Sequence, residues 1–126
     1  MYSLKSINRI VFLMLLLTGC VTTRPVDPRI TIIDTFLTTD ITITDVSSIV
    51  NNGGLIEIQV TGTNQTSFYK KFEYKINWLD QNGLIIPTIL SRWTMFPAYE
   101  KSEFRFKAVA PKTTATDFRI LIRKGN

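Results

Sequence analysis

From Ile30 to the end of the chain, apolar and polar side chains alternate with a period of two almost everywhere, which points to β-strands that bury one face and wet the other. No stretch shows the three-to-four residue spacing of an amphipathic helix. The clearest run is Phe72-Glu73-Tyr74-Lys75-Ile76-Asn77-Trp78, with Phe72, Tyr74, Ile76 and Trp78 on one face and Glu73, Lys75 and Asn77 on the other. Asp80-Gln81-Asn82-Gly83 follows, and its Asn-Gly pair accepts the positive φ angles of a hairpin turn. Ile56, Ile58 and Val60 alternate with Glu57, Gln59 and Thr61. Phe104, Phe106 and Ala108 alternate with Glu103, Arg105 and Lys107, and Phe118, Ile120 and Ile122 with Arg119, Leu121 and Arg123. Weaker runs span Ile30 to Asp34, Phe36 to Thr44, Leu84 to Ile86 and Ile89 to Met95. Turns read at Asn51-Asn52-Gly53-Gly54, Thr63 to Ser67, Pro97 to Lys101 and Ala110 to Thr116. Seven or eight short strands at this spacing predict an all-β, immunoglobulin-like sandwich with Trp78 as its core anchor; a small closed barrel is the alternative.

The first twenty residues obey a different rule. Lys5 and Arg9 precede the apolar run Ile10 to Leu17, and Leu17-Thr18-Gly19-Cys20 closes it with the only cysteine in the chain. The run is too short to span a bilayer, which takes about 20 apolar residues. The segment resembles a bacterial lipoprotein signal with its lipobox. That resemblance implies a signal peptide over residues 1–19, diacylglycerol on Cys20, and a further fatty acyl chain such as palmitate on the new N-terminus. Two or more chains anchor stably, each buried methylene contributing about 0.8 kcal/mol. Val21 stands where inner-membrane lipoproteins of enteric-type bacteria often carry Asp, so the resemblance points to the periplasmic leaflet of the outer membrane. With Pro25 and Pro28 favouring extended backbone, residues 20–29 read as the lipidated cysteine and a tether of at most about 30 Å. Residues 30–126 form the sandwich domain.

Charge and composition narrow the chemistry. Without Lys5 and Arg9 the 15 basic residues fall to 13 against 10 acidic ones, a mildly basic balance that carries no nucleic-acid signature. The chain has no histidine, and its one cysteine is assigned to lipid. The usual general base, thiol nucleophile and transition-metal ligands are therefore missing, and no cofactor, metal or enzymatic activity is expected. The acids Glu57, Glu73, Asp80, Glu100, Glu103 and Asp117 fall on polar strand faces or in turns, where solubility and turn formation account for them. Asn64-Gln65-Thr66 fits a glycosylation sequon, which a bacterial envelope protein has little reason to use.

Two groups of residues are candidates for binding. If the strands around residues 72–78, 103–108 and 117–123 share a sheet, their outward positions gather Lys71, Lys75, Arg105, Lys107, Arg119 and Arg123 on one face, against Glu73 and Glu103. Such a face attracts an anionic glycan, headgroup or acidic partner. The alternative is a solvated face whose cations discourage edge-to-edge aggregation. The second group is Trp93-Thr94-Met95-Phe96-Pro97-Ala98-Tyr99, where the alternation breaks. With Trp93 and Met95 facing inward, Phe96 and Tyr99 remain as a hydrophobic contact.

Asn64-Gln65-Thr66, the run Tyr74 to Gly83, Trp93, Ala110-Pro111 and Asp117-Phe118-Arg119-Ile120 together resemble the YcfL-like family of small bacterial lipoproteins, in matching order over most of the mature chain. The resemblance implies a cell-envelope setting, in which such genes can lie beside a lipoprotein that activates a peptidoglycan synthase, and no mechanism. The expected function is a non-catalytic, lipid-anchored periplasmic interaction module. It would bind or position an envelope partner such as peptidoglycan-synthesis or outer-membrane-assembly machinery, with the membrane as its other partner. A structural lipoprotein that self-associates through sheet edges is the alternative, and a cryptic enzyme a distant third. Partner identity and oligomeric state are not encoded in any recognisable motif.

Overall fold

In the computed structural model, residues 19, 20 and 27–126 are described. The signal peptide expected over 1–19 therefore lies outside the described residues except for Gly19, as do Val21–Val26 of the tether. Seven strands and one helical turn follow in order: β1 (Ile30–Ile32), α1 (Leu37–Asp40), β2 (Ile41–Val50), β3 (Ile56–Asn64), β4 (Lys70–Leu79), β5 (Thr94–Ala98), β6 (Glu103–Val109) and β7 (Asp117–Lys124). They form two sheets, one ordered β1-β7-β4-β5 and the other β2-β3-β6. The domain is an open β-sandwich rather than a closed barrel. All pairings are antiparallel except β1 with β7, which run parallel from Ile30 beside Ile120 to Ile32 beside Ile122.

The strongest alternations become strands with the expected faces. Phe72, Ile76 and Trp78 of β4, Phe118, Ile120 and Ile122 of β7, Ile58 and Val60 of β3, and Phe104 and Phe106 of β6 point between the sheets and are buried. Trp78 is 2% exposed and meets Phe118 edge-on, with ring centroids 6.1 Å apart. Tyr74 lies flat against Phe106 at 4.0 Å, and Phe72, Phe96 and Phe104 continue this aromatic seam across the two sheets. Burial pushes the Tyr74 phenol upward from its ordinary range. Gly62 fits where Phe104 crosses β3: a Cβ there would lie 2.5 Å from the Phe104 ring.

The weaker runs depart from expectation. Phe36 to Thr44 is not one strand, since Leu37–Asp40 forms a helical turn whose threonines bond backwards, Thr38 Oγ1 to the Thr35 carbonyl and Thr39 Oγ1 to that of Phe36. Such local bonds compete with a sheet ladder. The strand begins at Ile41 and runs on to Val50, with a bulge between Ile43 and Asp45. Leu84 to Ile86 contributes only a single bridge, Leu79 with Ile85, and Ile89 to Trp93 is irregular. The two glycine turns form as expected. Asn51 Oδ1 accepts the N–H groups of Gly53 and Leu55, Asp80 Oδ1 accepts those of Asn82 and Leu84, and Gly54 and Gly83 take the positive φ angles of 76° and 77°.

Asp27 to Arg29, which the prolines assign to the tether, is held against the sandwich. The Asp27 carboxylate accepts the Arg29 N–H at 2.9 Å and pairs with its guanidinium at 2.7 Å, and that guanidinium lies over the Phe118 ring at 4.7 Å. The pairing holds the Asp27 carboxyl below its ordinary range and the Arg29 guanidinium above its own. The chain thus joins the sandwich beside Phe118 and runs along β1 toward the Lys124 end of β7.

Candidate functional site

The six cations expected on one face do not share it. β6 belongs to the other sheet, so Arg105 and Lys107 project from the outer face of β2-β3-β6, whereas Lys71, Lys75, Arg119 and Arg123 project from the outer face of β1-β7-β4-β5. The strand phases are as expected, but the sheet assignment is not, because β6 pairs with β3 from Glu57–Val109 to Thr63–Glu103. The arginines are also neutralised locally. Arg105 pairs with Glu103 at 2.8 Å, Arg119 with Asp117 at 2.8 Å, and Arg123 with Glu73 at 2.7 Å while its guanidinium covers Trp93 at 3.9 Å. The Arg119 bond, aided by the Phe118 N–H, keeps the Asp117 carboxyl below its ordinary range. Lys71, Lys75 and Lys107 have no ion pair among the described residues. No continuous anionic-partner face results.

The hydrophobic contact is corrected in the same way. Phe96 is 5% exposed and joins the aromatic seam, because β5 pairs with β4 so that Phe96 opposes Phe72 on the inner side. Met95 therefore faces outward, and Trp93 lies beneath Arg123 on the outer face, the reverse of the expected phase. Tyr99 is exposed as expected and leans on Tyr69, with ring centroids 5.3 Å apart. Cys20 is exposed.

The site that the alternation did not reveal lies at the end of the sandwich where β4 begins and β7 ends. Here α1, the start of β4 and the last residues of the chain enclose an open cavity of about 520 Å³, lined among others by Phe36, Tyr69, Lys70, Lys71 and Lys124. Leu37 and Phe72 form its buried floor. Phe36 stands on the rim with 87% of its surface exposed, Phe68 is also largely uncovered, and Tyr69 is nearly half so. Polar groups converge on the same space. The Asp34 carboxylate accepts the Lys124 N–H at 2.7 Å, and Lys70 approaches Asp40 at 3.9 Å. Concave, partly aromatic surface with a few placed polar groups is the usual form of a binding site.

Two side chains make this cavity through the turns that carry them. The α1 turn lifts Phe36 out of the layer that an uninterrupted strand would have given it. Asn64, at the end of β3, shapes the 65–69 loop by donating to the carbonyls of Phe68 at 2.8 Å and Ala98 at 3.0 Å and accepting from Thr66 N and Oγ1. The sequence signal was the adjacent pair Phe68-Tyr69, followed at once by Lys70-Lys71, where two successive aromatics cannot both face a core.

The cavity is remote from the point where the chain joins the sandwich. From Phe118 to Lys124, six residues along β7, the separation is roughly 20 Å.

Residues 29–124 match the family described as "Protein of unknown function (DUF1425)". Among solved structures, the chain is similar to cj0090 of Campylobacter jejuni, with a TM-score of 0.66 and 22% identity over 79% of this chain and 100% of that one. It is also similar to a DUF1425 family member from Shewanella sp. pv-4, with a TM-score of 0.62 and 19% identity over 68% of this chain and 79% of that one. At these identities the likeness concerns the fold alone. No curated protein matches the chain.

Proposed function

The chain belongs to the DUF1425 family, and from that premise we propose that it is a lipid-anchored, non-catalytic interaction module of the bacterial cell envelope, a lipoprotein of the YcfL-like kind. It holds a partner in the cavity between α1 and the start of β4. The supporting observation is the exposed Phe36 beside Tyr69 on the rim of that cavity. Phe36 and Tyr69 stand together at one concave surface rather than singly, and grouped exposed aromatics are the mark of a protein interface. Acylation at Cys20 ties the chain to a membrane within seven residues of Asp27, a reach of about 25 Å. That reach keeps the whole sandwich, cavity included, close to the bilayer on its periplasmic side, where a partner in peptidoglycan synthesis or outer-membrane assembly is accessible. The missing histidine and the assignment of the only cysteine to lipid support a binding role over a catalytic one.

The test is site-specific photocrosslinking in intact cells, with the crosslinking residue at Tyr69 or, as a comparison, at Asn77 on the outer face of β4. The expected result is a discrete adduct from position 69 alone that Phe36→Asp abolishes. Phe36 is so exposed that this change should alter stability by no more than about 0.5 kcal/mol. Equal adducts from both positions, or an adduct from position 69 that survives Phe36→Asp, would contradict the assignment.

A further inference from the structure

Of the four strand edges that are free among the described residues, three are guarded. β1 is only 3 residues long, β5 carries Pro97, and β6 displays Glu103, Arg105 and Lys107. β2 is different: it presents 10 residues without proline, lysine or arginine, and Asp45 is its single charge. β-Branched side chains dominate it, and Ile49 and Val50 are 63% and 69% exposed. The bulge between Ile43 and Asp45 twists its first part, but Asp45 to Val50 keeps regular register against Thr61 to Ile56. A long, unguarded, β-prone edge is a template for a further strand.

The space beside that edge is shaped for one. The four-stranded sheet faces a three-stranded one, and β5 lies against β6. At the other side β1 therefore extends past β2, and no strand faces it among the described residues. An apolar cavity of about 290 Å³ lies between these two edges, lined by Ile30, Ile32, Ile41 and Ile43 with Thr38 and Thr42. Farther along β2, Val46 and Val50 point to the inner side and are incompletely covered.

We propose that the free edge of β2 is a strand-docking site for an extended segment of another polypeptide. That segment pairs its backbone with Asp45 to Val50, sets alternate aliphatic side chains over Val46 and Val50 and, at its Asp45 end, into the gap beside Ile43, Ile30 and Ile32, and places a lysine or arginine across from Asp45. Each element answers a feature of the surface. Unpaired N–H and C=O groups call for a strand, isoleucine-lined space calls for aliphatic side chains, and Asp45, exposed and without an ion pair among the described residues, calls for a cation. A second copy of this chain is the poorer occupant. In antiparallel pairing of β2 with itself no lysine or arginine stands across from Asp45, because the strand carries neither.

The probe is the soluble peptide Ile-Lys-Ile-Lys-Ile-Lys, titrated into the full chain in detergent micelles and followed by backbone and methyl nuclear magnetic resonance. Saturable shifts are expected at Asp45 to Val50 and at the methyl groups of Ile30, Ile32 and Ile43. Ile-Glu-Ile-Glu-Ile-Glu should bind at least about five-fold more weakly. Asp45→Lys, an exposed change that leaves melting unaltered, should reverse that order. The proposal is overturned by shifts that do not saturate or lie elsewhere, or by a peptide preference that Asp45→Lys leaves intact. It is equally overturned if the β2 amides that point away from β3 are already protected from hydrogen exchange without peptide, whether through self-pairing or through the chain's own residues 21–26.

Discussion

Asn64 has no exposed surface, yet every polar atom of its side chain is satisfied: the amide nitrogen donates to Phe68 and Ala98 carbonyls, and the oxygen accepts twice from Thr66. One residue thereby fastens the end of β3 to the 65–69 loop and to β5. The sequon it begins is a consequence of that geometry, since Thr66 is needed as the donor and the amide is out of reach of a glycosylating enzyme. Replacing Asn64 by Ala removes the buried bond to the Ala98 carbonyl and should cost about 1 to 3 kcal/mol in a denaturant titration. A loss below about 0.5 kcal/mol would show that water substitutes for the amide. The sequence displays such a residue only as a polar letter between strands. Trp78 was legible because it continues an unbroken alternation, whereas Phe96 was not, because Pro97 follows it and the pattern there fits either phase.

At the scale of elements, legibility follows the length of the alternation. β3, β4, β6 and β7 carry three or more inward apolar residues each, and their faces are as the pattern predicts. β2 was read short because its inward positions after the bulge are Val46, Ser48 and Val50, a row with little core to pack on that carries a weak apolar signal. The α1 turn was hidden because threonines favour strands until their hydroxyls find the backbone carbonyls three residues earlier. Gly62 marks a contact between elements that no periodicity encodes. Its Cα is crossed by Phe104 from β6 and by the Thr42 carbonyl of β2. Gly62→Ala should therefore destabilise by about 1 to 3 kcal/mol despite adding only a methyl group. Unchanged or raised stability, measured by thermal melting, would mean that the Phe104 ring swings aside freely.

For the whole molecule, the pairing of strands into sheets decides what the charges can do, and pairing is the quantity that local sequence leaves open. Placing β6 with β3 divides the expected basic face in two, and neighbouring acids then neutralise its arginines. The same topology creates the aromatic cavity at one end and the unguarded β2 edge at one side, neither of which belongs to any single run of residues. The envelope role proposed for them has the sandwich confined beside a bilayer, and the proposal places that confinement at Cys20. The most direct measurement is metabolic labelling of cells with an alkyne palmitate analogue, comparing the parent with Cys20→Ser in membrane and soluble fractions. The account predicts label and membrane sedimentation for the parent, and an unlabelled Cys20→Ser chain that keeps its signal peptide. Equal labelling and equal processing of the two would contradict it.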